Sequence, residues 1–169
     1  WPTTMFPMDF PLMTAQSAIY AYESADEDSA TRSELLEMAK RWAKVIEADL
    51  PPSPGKTFRH TLTSQMPKLR ETGGTYAQNY GRSISFFVHL YRATGEQHYL
   101  DVAEQIAADA VEKLYVETEV TTESGETKVY GIFRGHPAKP YYEAADGVGL
   151  LLYALLELDQ PEVPSRSAL

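Results

Sequence analysis

The sequence predicts a mainly α-helical chain built as an array of helical hairpins with one inserted β-hairpin. Three observations lead there. Apolar residues recur at helical spacing over several long segments, one helical pattern returns at a fixed offset further along the chain, and a single stretch alternates Val, Thr and Tyr around a Ser-Gly turn.

The elements follow in order. The opening "WPTTMFPMDFP" crowds three prolines among bulky apolar groups and reads as an extended segment lying over a hydrophobic surface. "TAQSAIYAYESA", from Thr14 to about Ala25, predicts a short helix. A second helix carries the stripe Leu35, Leu36, Ala39, Trp42, Ala43, Ile46 and Leu50, with Ser29 or Ser33 as its cap and Pro51 with Pro52 as its stop. Residues 51–74 read as a long loop, of the kind that commonly carries function. Within it, "TFRHTL" offers Arg59 and His60 as a weak contact candidate.

"TYAQNYGRSISFFVHLYR" then predicts a helix with its apolar face at Ile84, Phe87, Val88 and Tyr91. "ATGE" makes the turn into a partner helix whose face is Leu100, Ala103, Ile106, Ala107, Ala110, Val111 and Leu114. Residues 116–133 form the inserted β-hairpin around Ser124-Gly125. A last helix is expected from about Tyr142 to Leu158, and residues 159–169 read as a tail.

Composition bounds the rest. A length of 169 residues with 43% hydrophobic content is enough for one domain with a core. The longest apolar run, Val148 to Leu156, is too short to span a bilayer, so no membrane partner is expected. A chain that opens at Trp1 without a charged-then-apolar leader is expected to be a processed or excised piece of a longer protein. A formal net charge of −9 argues against nucleic acid as a partner. With no cysteine, disulfides and thiolate metal sites are excluded, and the compartment stays open, an exported or periplasmic one included. No cofactor and no metal site is expected, for neither HxH, HExxH nor a carboxylate-rich calcium loop occurs.

"LLEMAKRWAKVIEADL" and "YLDVAEQIAADAVEKL" superimpose at an offset of 64, Leu36 on Leu100, Ala39 on Ala103, Ala43 on Ala107 and Ile46 on Ala110. Gly147 falls on Gly81 at an offset of 66, so two hairpins and the first helix of a third are visible. The phrase "LYRATGEQHYLDVAEQIA" resembles the linker and outer helix of (α/α) toroid, or six-hairpin, carbohydrate-active enzymes, a group that includes polysaccharide lyases, unsaturated glucuronyl hydrolases and N-acylglucosamine 2-epimerases. The resemblance covers Tyr76 to Leu158 and implies a partial or reduced (α/α) toroid, similar to the C-terminal part of such a domain. It further implies a substrate cleft near the starts of the inner helices, and a missing N-terminal half or a self-association partner to cover an open flank.

Residues with chemistry gather at those helix starts. Tyr76, Asn79, Tyr80 and Arg82 lie within one and a half turns and could converge on a sugar or carboxylate, or serve as packing and ion-pair groups. Between Gly131 and Pro140 the chain carries Arg134, His136 and Lys139 and no acid, although acids outnumber bases 24 to 15 overall. That local reversal marks an anion site. Tyr141, Tyr142, Glu143 and Asp146 follow, the two acids three apart where a first-turn carboxylate also simply stabilises a helix. Gly147, set inside the expected helix, suggests a close approach by another backbone or a ligand. His89 reads as a satisfied packing residue among the apolar residues of its helix and His98 as a solvent-exposed turn residue.

The function these residues imply is action on an acidic, uronate-containing saccharide by a lyase or hydrolase. Tyr76, Asn79, Arg82, Arg134, Lys139, Tyr141 and Glu143 would bind substrate, and Tyr80, His136, Tyr142 and Asp146 would supply acid and base. No catalytic motif of the resembled families matches residue for residue, so these roles rest on chemistry alone. The alternative is a non-catalytic helical-repeat module that binds glycan or a protein partner.

Overall fold

The computed structural model describes residues 9–47, 75–137 and 147–164, with side chains from Leu12 onward in the first helix. Among them are five helices and one two-stranded antiparallel sheet, in the order α1 (Asp9–Ser24), α2 (Ala30–Glu47), α3 (Ala77–Thr94), α4 (Gln97–Leu114), β1 (Tyr115–Thr121), β2 (Thr127–Phe133) and α5 (Val148–Asp159). The molecule is therefore mainly helical with one β-hairpin, as expected.

Helix α1 begins at Asp9, earlier than the expected Thr14, because a proline such as Pro11 is tolerated in a first turn whose N–H groups have no intrahelical acceptor. Leu12, Ala15, Ala18 and Ile19 form its buried stripe. In α2 the buried positions are Ala39, Ala43 and Ile46, and in α4 they include Ala103, Ala107 and Ala110. These are the same positions at the offset of 64 read from the sequence. Ser33 does not cap α2. Its hydroxyl donates to the Ala30 carbonyl from inside the first turn, which begins at Ala30 directly after Ser29.

Helix α3 departs from the single apolar face expected of it. Ala77, Asn79, Tyr80, Gly81 and every residue from Ser83 to Leu90 are buried. The reason is position: α3 packs against α1, α4 and α5 at once, so three sides of it meet protein. Of the polar groups on those sides, Ser83 Oγ donates locally to the Asn79 carbonyl at 2.7 Å, while Ser85 Oγ meets the Tyr20 hydroxyl of α1 at 3.3 Å. Helix α1 pairs with α2 and α3 with α4, while α5 lies along α3.

Gly95 ends α3 in the left-handed region (φ 69°), its N–H donating to the Tyr91 carbonyl at 2.7 Å. Gly147 lies not inside a helix, as expected, but immediately before α5, with φ 78°. A close backbone approach is present at Gly147, and one not expected is present at Gly81. A Cβ on Gly81 would stand 2.7 Å from the Leu150 carbonyl carbon, and one on Gly147 would stand 2.2 Å from Gln78 Cβ. The two glycines thus let α3 and α5 cross at short range.

In the β-hairpin, Tyr115 pairs with Phe133 and Thr121 with Thr127. The two rings at its base meet edge to face at 5.5 Å. Its exit is pinned twice: Arg134 N–H donates to the Leu114 carbonyl at 2.9 Å, and the Gly135 carbonyl accepts from Ala77 N–H at 2.8 Å. The segment after β2 is thereby tied across the end of α4 to the start of α3.

Candidate functional site

Two groups of chemistry-bearing residues sit at opposite ends of α3. The first is the one expected at the helix start. Tyr76 precedes α3 in extended conformation, and its ring lies 4.7 Å from that of His136, sixty residues away, at a tilt of 55°. The Ala77–Gly135 hydrogen bond holds the two segments together beneath this pair. His136 is 3% exposed. Arg134 donates from Nη2 to the Lys113 carbonyl at 3.4 Å, at the C-terminal end of α4, and its buried Nε has no hydrogen-bond partner.

Asn79 is buried and donates from Nδ2 to Thr75 Oγ1 at 2.9 Å, leaving its Oδ1 without a partner. Tyr80 is fully buried and donates to Asp109 of α4. Arg82 turns toward α1, where Nη1 meets Gln16 Oε1 at 2.9 Å, and its Nε is unpartnered. The structure therefore brings Tyr76 and His136 together and sends Tyr80 and Arg82 to different neighbouring helices. Lys139, Tyr141, Tyr142, Glu143 and Asp146, along with Arg59 and His60, lie outside the described residues. The first turn of α3 holds no acidic side chain of its own.

The second group was not expected. His89 is buried and satisfied, as read from the sequence, but by charged partners: Nδ1 lies 2.6 Å from Glu23 Oε1 of α1 and Nε2 3.2 Å from Glu157 Oε1 of α5. Arg92 Nη1 stands 3.8 Å from the same Glu157 oxygen. The Glu157 side chain is 4% exposed and that of His89 6%, whereas Glu23 is 35% exposed. The Tyr20 ring meets the imidazole edge-on at 4.9 Å.

Burial works against a charged His89, but the hydrogen bonds it donates to Glu157 and Glu23 outweigh it, and its pKa is raised above the ordinary value. The tyrosine beside it is also raised, first by burial, with the nearby carboxylates adding to the effect. Above the cluster opens a cleft of about 480 Å³ lined by Tyr22, Glu23, Arg32, His89, Arg92 and Glu162. Arg32 lies over the Tyr22 ring at 4.5 Å.

A signal for this cluster was present in the sequence. Glu157 is the single acid within "GLLLYALLEL", and Glu23, His89 and Glu157 follow one another at 66 and 68 residues, close to the repeat offset already seen for the glycines. His98, expected to be exposed, is so, and faces Glu47 at 3.2 Å. Among the described residues no group of three or more His, Asp and Glu could hold a metal ion, and no helix is long and apolar enough to cross a membrane. No family model, no curated protein and no solved structure matches the chain.

Proposed function

We propose that the chain is a carbohydrate-active domain, a partial or reduced (α/α) toroid, that takes an acidic, uronate-containing saccharide at the N-terminal end of α3. The observation that carries this reading is the junction of Tyr76 with His136. It sets the acid-free segment bearing Arg134 and His136 against the positive end of a helix whose first turn has no carboxylate. A uronate carboxylate is the saccharide group that such a field favours.

In a lyase step, Arg134 and the helix end offset the charge of the C6 carboxylate and so acidify the C5 proton. His136 removes that proton, the C5–H electron pair becomes the C4–C5 double bond, and the C4–O bond to the leaving sugar breaks as the imidazolium so formed gives the proton to its oxygen. Tyr76 orients the imidazole. Tyr80, engaged with Asp109, contributes packing to this reading. Lys139, Tyr141, Tyr142, Glu143 and Asp146 enter it through the sequence alone.

The test is incubation with a panel of acidic polysaccharides while following the ultraviolet absorbance of an unsaturated uronate. Activity that disappears in His136→Ala and Arg134→Ala, with circular dichroism and melting temperature nearly unchanged, is the expected result. A second reading, a non-catalytic glycan-binding module, is favoured by the near-complete burial of His136, since a base must reach its substrate. Binding without any new absorbance would select it, and loss of folding in both variants would make the residues structural.

A further inference from the structure

The other end of α3 supports an inference independent of any saccharide. His89 stands between two carboxylates that belong to two other helices, one contact to each ring nitrogen. A neutral imidazole carries one N–H, so it can serve only one of them and turns a lone pair to the other. An imidazolium donates to both.

We propose that protonated His89 is a pH-operated clamp that holds the C-terminal ends of α1 and α5 to α3, and that losing its proton releases the α1 end beside the cleft. Among the described residues, charged and titratable groups face it from each packed element. They are Glu23 and Tyr20 on α1, Glu157 with Tyr153 nearby on α5, and Arg92 on α3 itself. Arg32 of α2 and Glu162 beyond α5 border the same cleft.

The direction of release follows from these neighbours. Glu157 is nearly buried and cannot turn to water, and Arg92 at 3.8 Å compensates its charge only in part, so losing a donor costs it more and it keeps the remaining N–H. Glu23 is partly solvated and reachable from the cleft, so its carboxylate can turn to water. The lone pair then faces Glu23, and like repels like across 2.6 Å.

The sign is fixed by the upward displacement of the His89 pKa. The clamp is fully formed below the ordinary histidine value of about 6.5, and its contribution fades as pH rises through the raised value of the folded state.

The experiment is a proton NMR titration of the histidines in the full chain, with the His89 resonance assigned by its loss in His89→Gln, alongside hydrogen exchange at the C-terminal amides of α1. His60, His98 and His136 provide internal comparison. His89 is expected to titrate above about 6.5, and exchange at 21–24, corrected for its intrinsic pH dependence, to rise severalfold through the same interval. His89→Gln should lose that pH dependence. If it does not fold, Glu23→Gln, which removes one carboxylate and keeps the shape, should move the His89 midpoint downward. Titration of His89 at or below the ordinary value overturns the proposal, as does pH-independent exchange at the α1 end or an unmoved midpoint in Glu23→Gln.

Discussion

A methyl group added to each of three glycines should produce three different results. In Gly81→Ala the new Cβ meets the backbone of Leu150 and Leu151 at 2.7 Å, and backbone cannot turn aside as a side chain can. The helical preference of alanine offers about 1 kcal/mol, but separating α3 from α5 is expected to cost about 1–3 kcal/mol, so the variant should melt below the parent. Gly147→Ala combines a 2.2 Å collision with Gln78 and a φ of 78°, and its loss should be the largest of the three. Gly149→Ala meets nothing within 4 Å and should be neutral or gain up to about 1 kcal/mol in urea unfolding. Tyr80→Phe belongs to the same scale. Removing the hydroxyl that donates to Asp109 should cost about 1 kcal/mol, and a gain in stability would show that this hydrogen bond does not hold α4 to α3.

At the scale of elements, the β-hairpin is tied to the body at its base and exposed beyond it, with Val120, Val129 and Tyr130 facing solvent. Replacing residues 118–130 by an Asn-Gly turn leaves the Tyr115–Phe133 ring pair and both anchoring hydrogen bonds intact. The helical body should then melt within a few degrees of the parent, and a large drop would mean that the distal strands carry stability. Helices α2 and α4 and the hairpin were legible in the sequence because each declares itself within its own segment, by a 3.6-residue stripe or by alternation around a turn. The all-round burial of α3 was not, because Asn79, Ser83 and Ser85 look like a solvent face until neighbouring helices supply the covering surface. The left-handed Gly147 directly before α5 was not legible either, and the first residues of the helix expected from Tyr142 lie outside the described ones. Among candidate site residues, the meeting of Tyr76 with His136 joins two clusters that the sequence presents separately, because the two residues lie sixty positions apart. His89 was passed over because periodicity weighs a residue against its own helix, and its partners lie 66 and 68 residues away.

For the whole molecule, a formal net charge of −9 sets a background of self-repulsion. Raising the salt from about 20 mM to about 300 mM shortens the Debye length several-fold, so the melting temperature should rise. The buried contacts around His89 are little screened and should not reverse that trend; a fall in melting temperature would show that attractive surface pairs such as Lys40–Glu96 dominate instead. The Glu23–His89–Glu157 alignment also bears on how similar hairpins find their order. Three identical first helices would present three acids or three histidines to one another and repel at this end. By carrying acid, base and acid in turn, the chain gives the middle place a chemical address that only α3 can answer, so neighbour order is written in charge where apolar stripes alone would leave it ambiguous.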